Sequence, residues 1–192
     1  MERLDAAKAR DHLEMVDRVL AETQPRLCSG GEFFVAWGVA TAFVTVVAHL
    51  VARGTLPAPW LWSIPAMLAA ASLFSIVRGR RTRLAMARTS LLQREFFNVL
   101  WLTVGLGVVV NVAVYNIFTG IASAAIWSVV EAVVLLYIGM HGNRRAQITG
   151  VLVVVSLVAA NFVPPGLVAY VLAAGMLAGY GGFGVSELLA RD

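Results

Sequence analysis

The sequence predicts an all-α integral membrane protein. Six transmembrane helices form three helical hairpins, the first two a tandem repeat, with both termini cytoplasmic and a cytoplasmic amphipathic helix ahead of the first span. Three observations carry this expectation. First, 59% of the 192 residues are hydrophobic, 14% are charged and the mean hydropathy is +0.80, well outside the composition of soluble domains. Apolar runs of about 20 residues recur, each matching ~30 Å of hydrocarbon at ~1.5 Å per residue. Second, the arginines concentrate in alternate loops. Third, a set of landmarks repeats at nearly one offset.

Residues 1–32 make the first unit and 33–192 the second. Within the first, Leu4, Leu13, Val16, Val19 and Leu20 fall along one stripe at helical steps, an amphipathic pattern. Pro25 stops this helix, and Ser29-Gly30-Gly31 makes a flexible joint. The segment is charged rather than apolar, so no cleavable signal peptide is expected at its start.

The six apolar spans run over about 33–52, 58–77, 96–117, 121–140, 147–163 and 166–186, with Pro164-Pro165 turning the chain between the last two. Arg78, Arg80, Arg81, Arg83, Arg88 and Arg94 lie between spans two and three, and Arg144 and Arg145 between four and five. The intervening loops hold only Arg53. Positive residues remain on the cytoplasmic side during insertion, which fixes the orientation. Arginine outnumbers lysine fourteen to one, as in GC-rich bacterial genomes, so the expected location is a bacterial inner membrane.

"GEFFVAW" at Gly31–Trp37 returns as "REFFNVLW" at Arg94–Trp101. Glu32 and Glu95 are 63 residues apart, Trp37 and Trp101 64, and Trp62 and Trp127 65. A unit with an even number of spans inserts each copy in the same direction. In each copy the glutamate (Glu32, Glu95) suits the positive end of the helix dipole. Phe33, Phe34 and Trp37, and their counterparts Phe96, Phe97 and Trp101, are expected to anchor the helix at the acyl boundary.

Glu131 is the most informative residue for function. It stands in "AIWSVVEAVVLLYIG", about ten residues from each end of span four. A charge at the bilayer centre costs at least ~2.5–3.5 kcal/mol, so Glu131 should face protein or water and mark a proton or cation site. Asn111 on span three is its nearest expected partner by depth, Thr41 and Thr45 could contribute from span one, and Trp127 lies one turn away.

Other chemistries fit poorly. His49 and His141 lie near opposite ends of their helices and cannot share a haem or metal within one chain, and Cys28 is the only cysteine. Gly175 and Gly179 form a G-x-x-x-G read as helix packing. The following "GYG" lacks the Thr-Val of a potassium filter, and no G-K-[S/T] phosphate loop or serine–histidine–acid set appears. No enzyme activity, cofactor, metal or nucleic-acid partner is expected.

Residues 1–32 carry a net charge of −2 and residues 78–95 a net +5. The acidic helix is expected to dock on that basic loop or to join a second subunit or protein partner through residues 1–24. Two functions follow. One is a non-enzymatic sensor, subunit or assembly module working through its N-terminal helix in the lipid bilayer. The alternative is a small transporter or channel for protons, cations or small solutes that uses Glu131.

Overall fold

The computed structural model describes residues 14–15, 30–85, 91–113 and 121–190, the side chains of 81–85, 91–97, 101 and 111–113 excepted. The amphipathic helix expected over 2–24 and the basic-loop residue Arg88 lie outside the described residues, as do the side chains of Arg81 and Arg83.

The described residues are helical, with no strand among them. They form α1 (Gly31–Ala52), α2 (Ser63–Ala85) preceded by a 3-10 turn at Ala58–Trp62, α3 (Leu91–Ala113), α4 (Ile121–Met140), α5 (Arg144–Ala159) and α6 (Val168–Leu189). Within α6, Leu177–Gly181 adopts a π turn. Among the described residues four stretches are long and apolar enough to cross a membrane: Gly31–Ala52, Ala58–Arg80, Ile121–Met140 and Val168–Leu189.

One of the six expected spans is short in the structure, and another is described only in part. α5 has 16 residues, which at ~1.5 Å each falls short of ~30 Å of hydrocarbon. Its helix stops at Ala159 because the chain must turn into Pro164-Pro165, and a proline disfavours helical geometry in the residue before it. In α3 the described apolar stretch runs over Asn98–Val110, following Gln93, Arg94 and Glu95 of its first turns, and the remainder of the expected span lies outside the described side chains.

α6 is the central element, touching α1, α4 and α5, while α2 leans on α1 and α3 on α4. Half of the apolar stretch of α6 is buried within the protein (50%), against 6% for the stretch that includes α2. Leu73 and Ile76 of α2 and Leu102 and Leu106 of α3 stand exposed, as lipid-facing side chains would. The core joins Ala132, Val134, Leu135 and Ile138 of α4, Ala146 and Val153 of α5, and Phe183 of α6.

Small residues let these helices approach closely. A Cβ at Gly38 would sit 2.5 Å from the amide nitrogen of Gly181, and one at Gly31 2.7 Å from the carbonyl oxygen of Gly184. One at Gly175 would overlap Ser156 Oγ. Dispersion across such seams is the main attraction available to helices surrounded by lipid tails. Between α4 and α5, Gly142 takes the left-handed conformation (φ 96°) that ends α4. Asn143 then caps α5, its side-chain oxygen accepting from the amides of Arg145 and Ala146 at 3.1 Å each.

α2 is tied to the foot of α1. The Arg78 guanidinium meets the Glu32 carboxylate in a two-pronged pair at 2.5 and 2.7 Å, and Trp37 Nε1 donates to Ser75 Oγ at 3.0 Å. Phe33 lies edge-on to Phe74.

Alanine at Gly38 would press on backbone that cannot swing aside, so Gly38→Ala is expected to cost about 1–3 kcal/mol. Gly105 of α3 has nothing within 4 Å of its Cβ position, and Gly105→Ala should be neutral or gain up to ~1 kcal/mol. Thermal melts of both variants in nanodiscs check this, and a Gly38→Ala protein that melts like the wild type would refute the close seam.

Candidate functional site

Glu131 is the eleventh residue of the 20-residue α4 and points into the bundle rather than out of it, with 2% of its surface exposed. Ser128, Val130, Ala132, Val134 and Leu135 are buried around it on the same helix. Its carboxyl oxygen Oε1 accepts a hydrogen bond from the backbone amide of Tyr180 at 2.7 Å. Tyr180 lies within the π turn of α6. A π turn breaks the regular i to i−4 ladder, so it presents backbone groups for bonds outside the helix. Glu131 caps one of them.

Gly179 permits this approach. A Cβ there would overlap Val153 Cγ2 and stand 2.6 Å from Glu131 Oε1. Three helices therefore meet at this point: α4 supplies the carboxyl, α6 the amide and the space, and α5 the apolar wall. The other carboxyl oxygen, Oε2, is buried with no hydrogen-bond partner. Buried polar atoms are nearly always satisfied, so an acid left half-bonded retains capacity for a proton, a water or a rearrangement. It faces an amide hydrogen on one side and apolar groups on the other, which suits a proton better than a metal ion. Among the described residues no group of three histidine, cysteine, aspartate or glutamate side chains could hold a metal ion.

The other residues singled out from the sequence are dispersed. Trp127, one turn before Glu131, packs towards Gly107 of α3, where a Cβ would lie 3.6 Å from its ring. Thr41 donates to the carbonyl of Trp37 at 2.8 Å, and Thr45 to that of Thr41 at 2.9 Å. Thr45 also meets Met176 Sδ of α6 at 3.6 Å. Neither hydroxyl bonds to Glu131. Asn111 is a residue of α3 whose side chain lies outside those described, as do the side chains of Glu95, Phe96, Phe97 and Trp101.

Within the first Glu-Phe-Phe motif, the half-buried Phe34 turns part of its ring towards α6. It packs edge-on against Tyr180 and Phe183 of α6, with ring centres 5.4 and 4.8 Å apart. Phe33 and Trp37 turn to α2 instead. Adjacent residues on a helix point about 100° apart, so consecutive phenylalanines reach different neighbours. Gly175 and Gly179 lie at the close approaches to α5 and α4. Arg78 pairs with Glu32, beside a groove of about 360 Å³ lined by Glu32, Phe74, Val77 and Arg78, and Arg80 follows in the last turns of α2.

The sequence did not single out Tyr180, Phe183 or the clamp at the end of α6. There Asn143 Nδ2 donates to Glu187 Oε1 at 3.1 Å and Arg145 to the carbonyl of Ser186 at 2.9 Å. The available signal was the run Gly179, Gly181, Gly182 and Gly184 inside an apolar helix, which marks close backbone approach.

Glu131→Gln keeps an acceptor for the Tyr180 amide and should cost less than about 1 kcal/mol. Glu131→Leu strands that amide and should cost about 1–3 kcal/mol. Hydrogen exchange of the Tyr180 amide, faster in Glu131→Leu than in Glu131→Gln, is the direct readout, and equal rates would refute the bond. In comparisons with known proteins, no family, no curated protein and no solved structure matches this chain.

Proposed function

We propose that this chain is a non-enzymatic multi-pass protein of a bacterial inner membrane whose working group is Glu131, a proton-exchanging acid set against a π turn. The observation that carries the reading is the half-satisfied carboxyl: Oε1 bonded to the Tyr180 amide, Oε2 buried and unpartnered. Polar atoms left in this state inside a membrane bundle tend to mark proton relays and switching sites. The protein then works as a proton-responsive sensor or subunit, and the acidic N-terminal helix is the surface that reports the change to a partner.

The arrangement of spans belongs to the same proposal. Six spans run as three hairpins, the first two a tandem repeat, with both termini in the cytoplasm, as the arginine distribution supports. α3 packs on α4, and α5 on α4 and α6, each beside a helix that is long and apolar enough to cross fully. A proton transporter that cycles Glu131 between two faces is the second reading, favoured by the same carboxyl.

Infrared difference spectra in nanodiscs test the proposal, following the Glu131 carboxyl band from about pH 5 to pH 9 with Glu131→Gln as the blank. A titrating band is expected, and a band constant throughout would reduce Glu131 to a structural acid. Proton flux into liposomes then separates sensor from transporter. The single native Cys28 reports orientation: a membrane-impermeant maleimide should label it in inverted vesicles and leave it unlabelled in intact cells.

A further inference from the structure

Among the described residues, two buried side-chain atoms have no hydrogen-bond partner: Oε2 of Glu131 and Nε2 of His49. Both belong to ionisable side chains that can hold or release a proton. Both also lie against α6. Glu131 meets Tyr180, while the His49 ring stands edge-on to Tyr170 with centres 5.4 Å apart. Ten residues of α6 separate the two tyrosines, or ~15 Å along the helix.

The side of α1 that joins these points carries polar residues at a regular step. Arg53, His49, Thr45 and Thr41 follow at four-residue intervals from the loop end of α1 inwards. Each of the first three is in register with α6. Arg53 Nη1 lies 2.8 Å from the Cβ position of Gly166, His49 packs on Tyr170, and Thr45 meets Met176. Further in, Gly38 abuts Gly181 and Tyr180, the turn that Glu131 caps. His49 and Thr45 are each 8% exposed. On an otherwise apolar helix, His49 and Thr45 are thus turned inwards along this seam, with Thr41 half-buried beyond them and Arg53 exposed at the loop end.

We propose that the α1–α6 seam is the proton route to Glu131 and that His49 is its port. The proposal rests on the reading of Glu131 as a proton-exchanging acid. A proton from water at the Arg53 end binds His49 Nε2. It then passes inwards through the hydroxyls of Thr45 and Thr41 with transient water between them. Each oxygen accepts one proton and releases its own, and transient water beyond Thr41 carries the last past the Gly38–Tyr180 contact to Glu131 Oε2. The reverse sequence returns it. The ionisable groups facing His49 are Tyr170 from α6 and Arg53 one turn along α1.

The test is the rate at which the Glu131 carboxyl exchanges hydrogen for deuterium after mixing into D2O, read from its infrared band in nanodiscs. His49→Phe retains an aromatic ring against Tyr170 and cannot carry a proton. It should slow exchange at least about tenfold while leaving the band in place, as loss of a positioned proton-transfer group does. Thr45→Val, nearly isosteric, should slow it by a smaller factor. If His49→Phe does not fold, His49→Gln serves in its place, with the same slowing expected. Wild-type rates in the histidine variants would overturn the route while leaving Glu131 an exchanging acid reached from elsewhere. A wild-type band that neither titrates nor exchanges overturns both the route and the proposed function.

Discussion

A backbone amide inside an apolar bundle must find an acceptor, because no solvent is at hand to take its place. In this protein the amide is that of Tyr180, and the acceptor is Glu131. The rest of the arrangement follows from that bond. It fixes the height and rotation of α6 relative to α4, and α6 is the helix on which α1 and α5 also pack. Glycine at position 179 removes the only side chain that would hold the two apart. Phe183, one turn further along, then fills the centre of the core and gives Phe34 of α1 its seat.

The same logic explains why the middle of the bundle is well packed and its flanks are not. α1, α4, α5 and α6 share interfaces made of glycine, alanine and serine, where backbones come close and dispersion is strong. α2 and α3 each lean on a single neighbour and show leucine, isoleucine and valine to the outside. What secures α2 is polar and local, namely the Glu32–Arg78 pair and the Trp37–Ser75 bond near one end of the helix.

Much of this could be read from the residues. The span read as 121–140 coincides with α4, because an apolar run bounded by glycine and histidine leaves little latitude. Glu131 drew attention because a lone acid in such a run has no inexpensive place outside the bundle. Its partner was not legible. A π turn has no side-chain signature, and the group that binds Glu131 is a main-chain amide that every residue but proline carries. The roles of Phe33 and Phe34 were obscured for a related reason. Apolar residues facing lipid and apolar residues facing protein have the same composition, so only the packing tells them apart. The shortness of α5 was foreshadowed by Pro164-Pro165, but the four residues lost before it depend on how the turn is built.

The π turn also divides α6 into two helices joined out of phase. Before it, Gly175 faces α5; Gly181 at its end and Gly184 beyond it face α1. One residue corresponds to about 100° of rotation, so each half is matched to its own neighbour only while the extra residue is present. Length, more than the identity of any one side chain, is therefore what this helix is least free to change. Away from its glycines, a substitution in α6 acts on its own surroundings, whereas loss of a single residue from Leu177–Gly181 would turn the Glu187 clamp and the Phe183 seat away from their partners together.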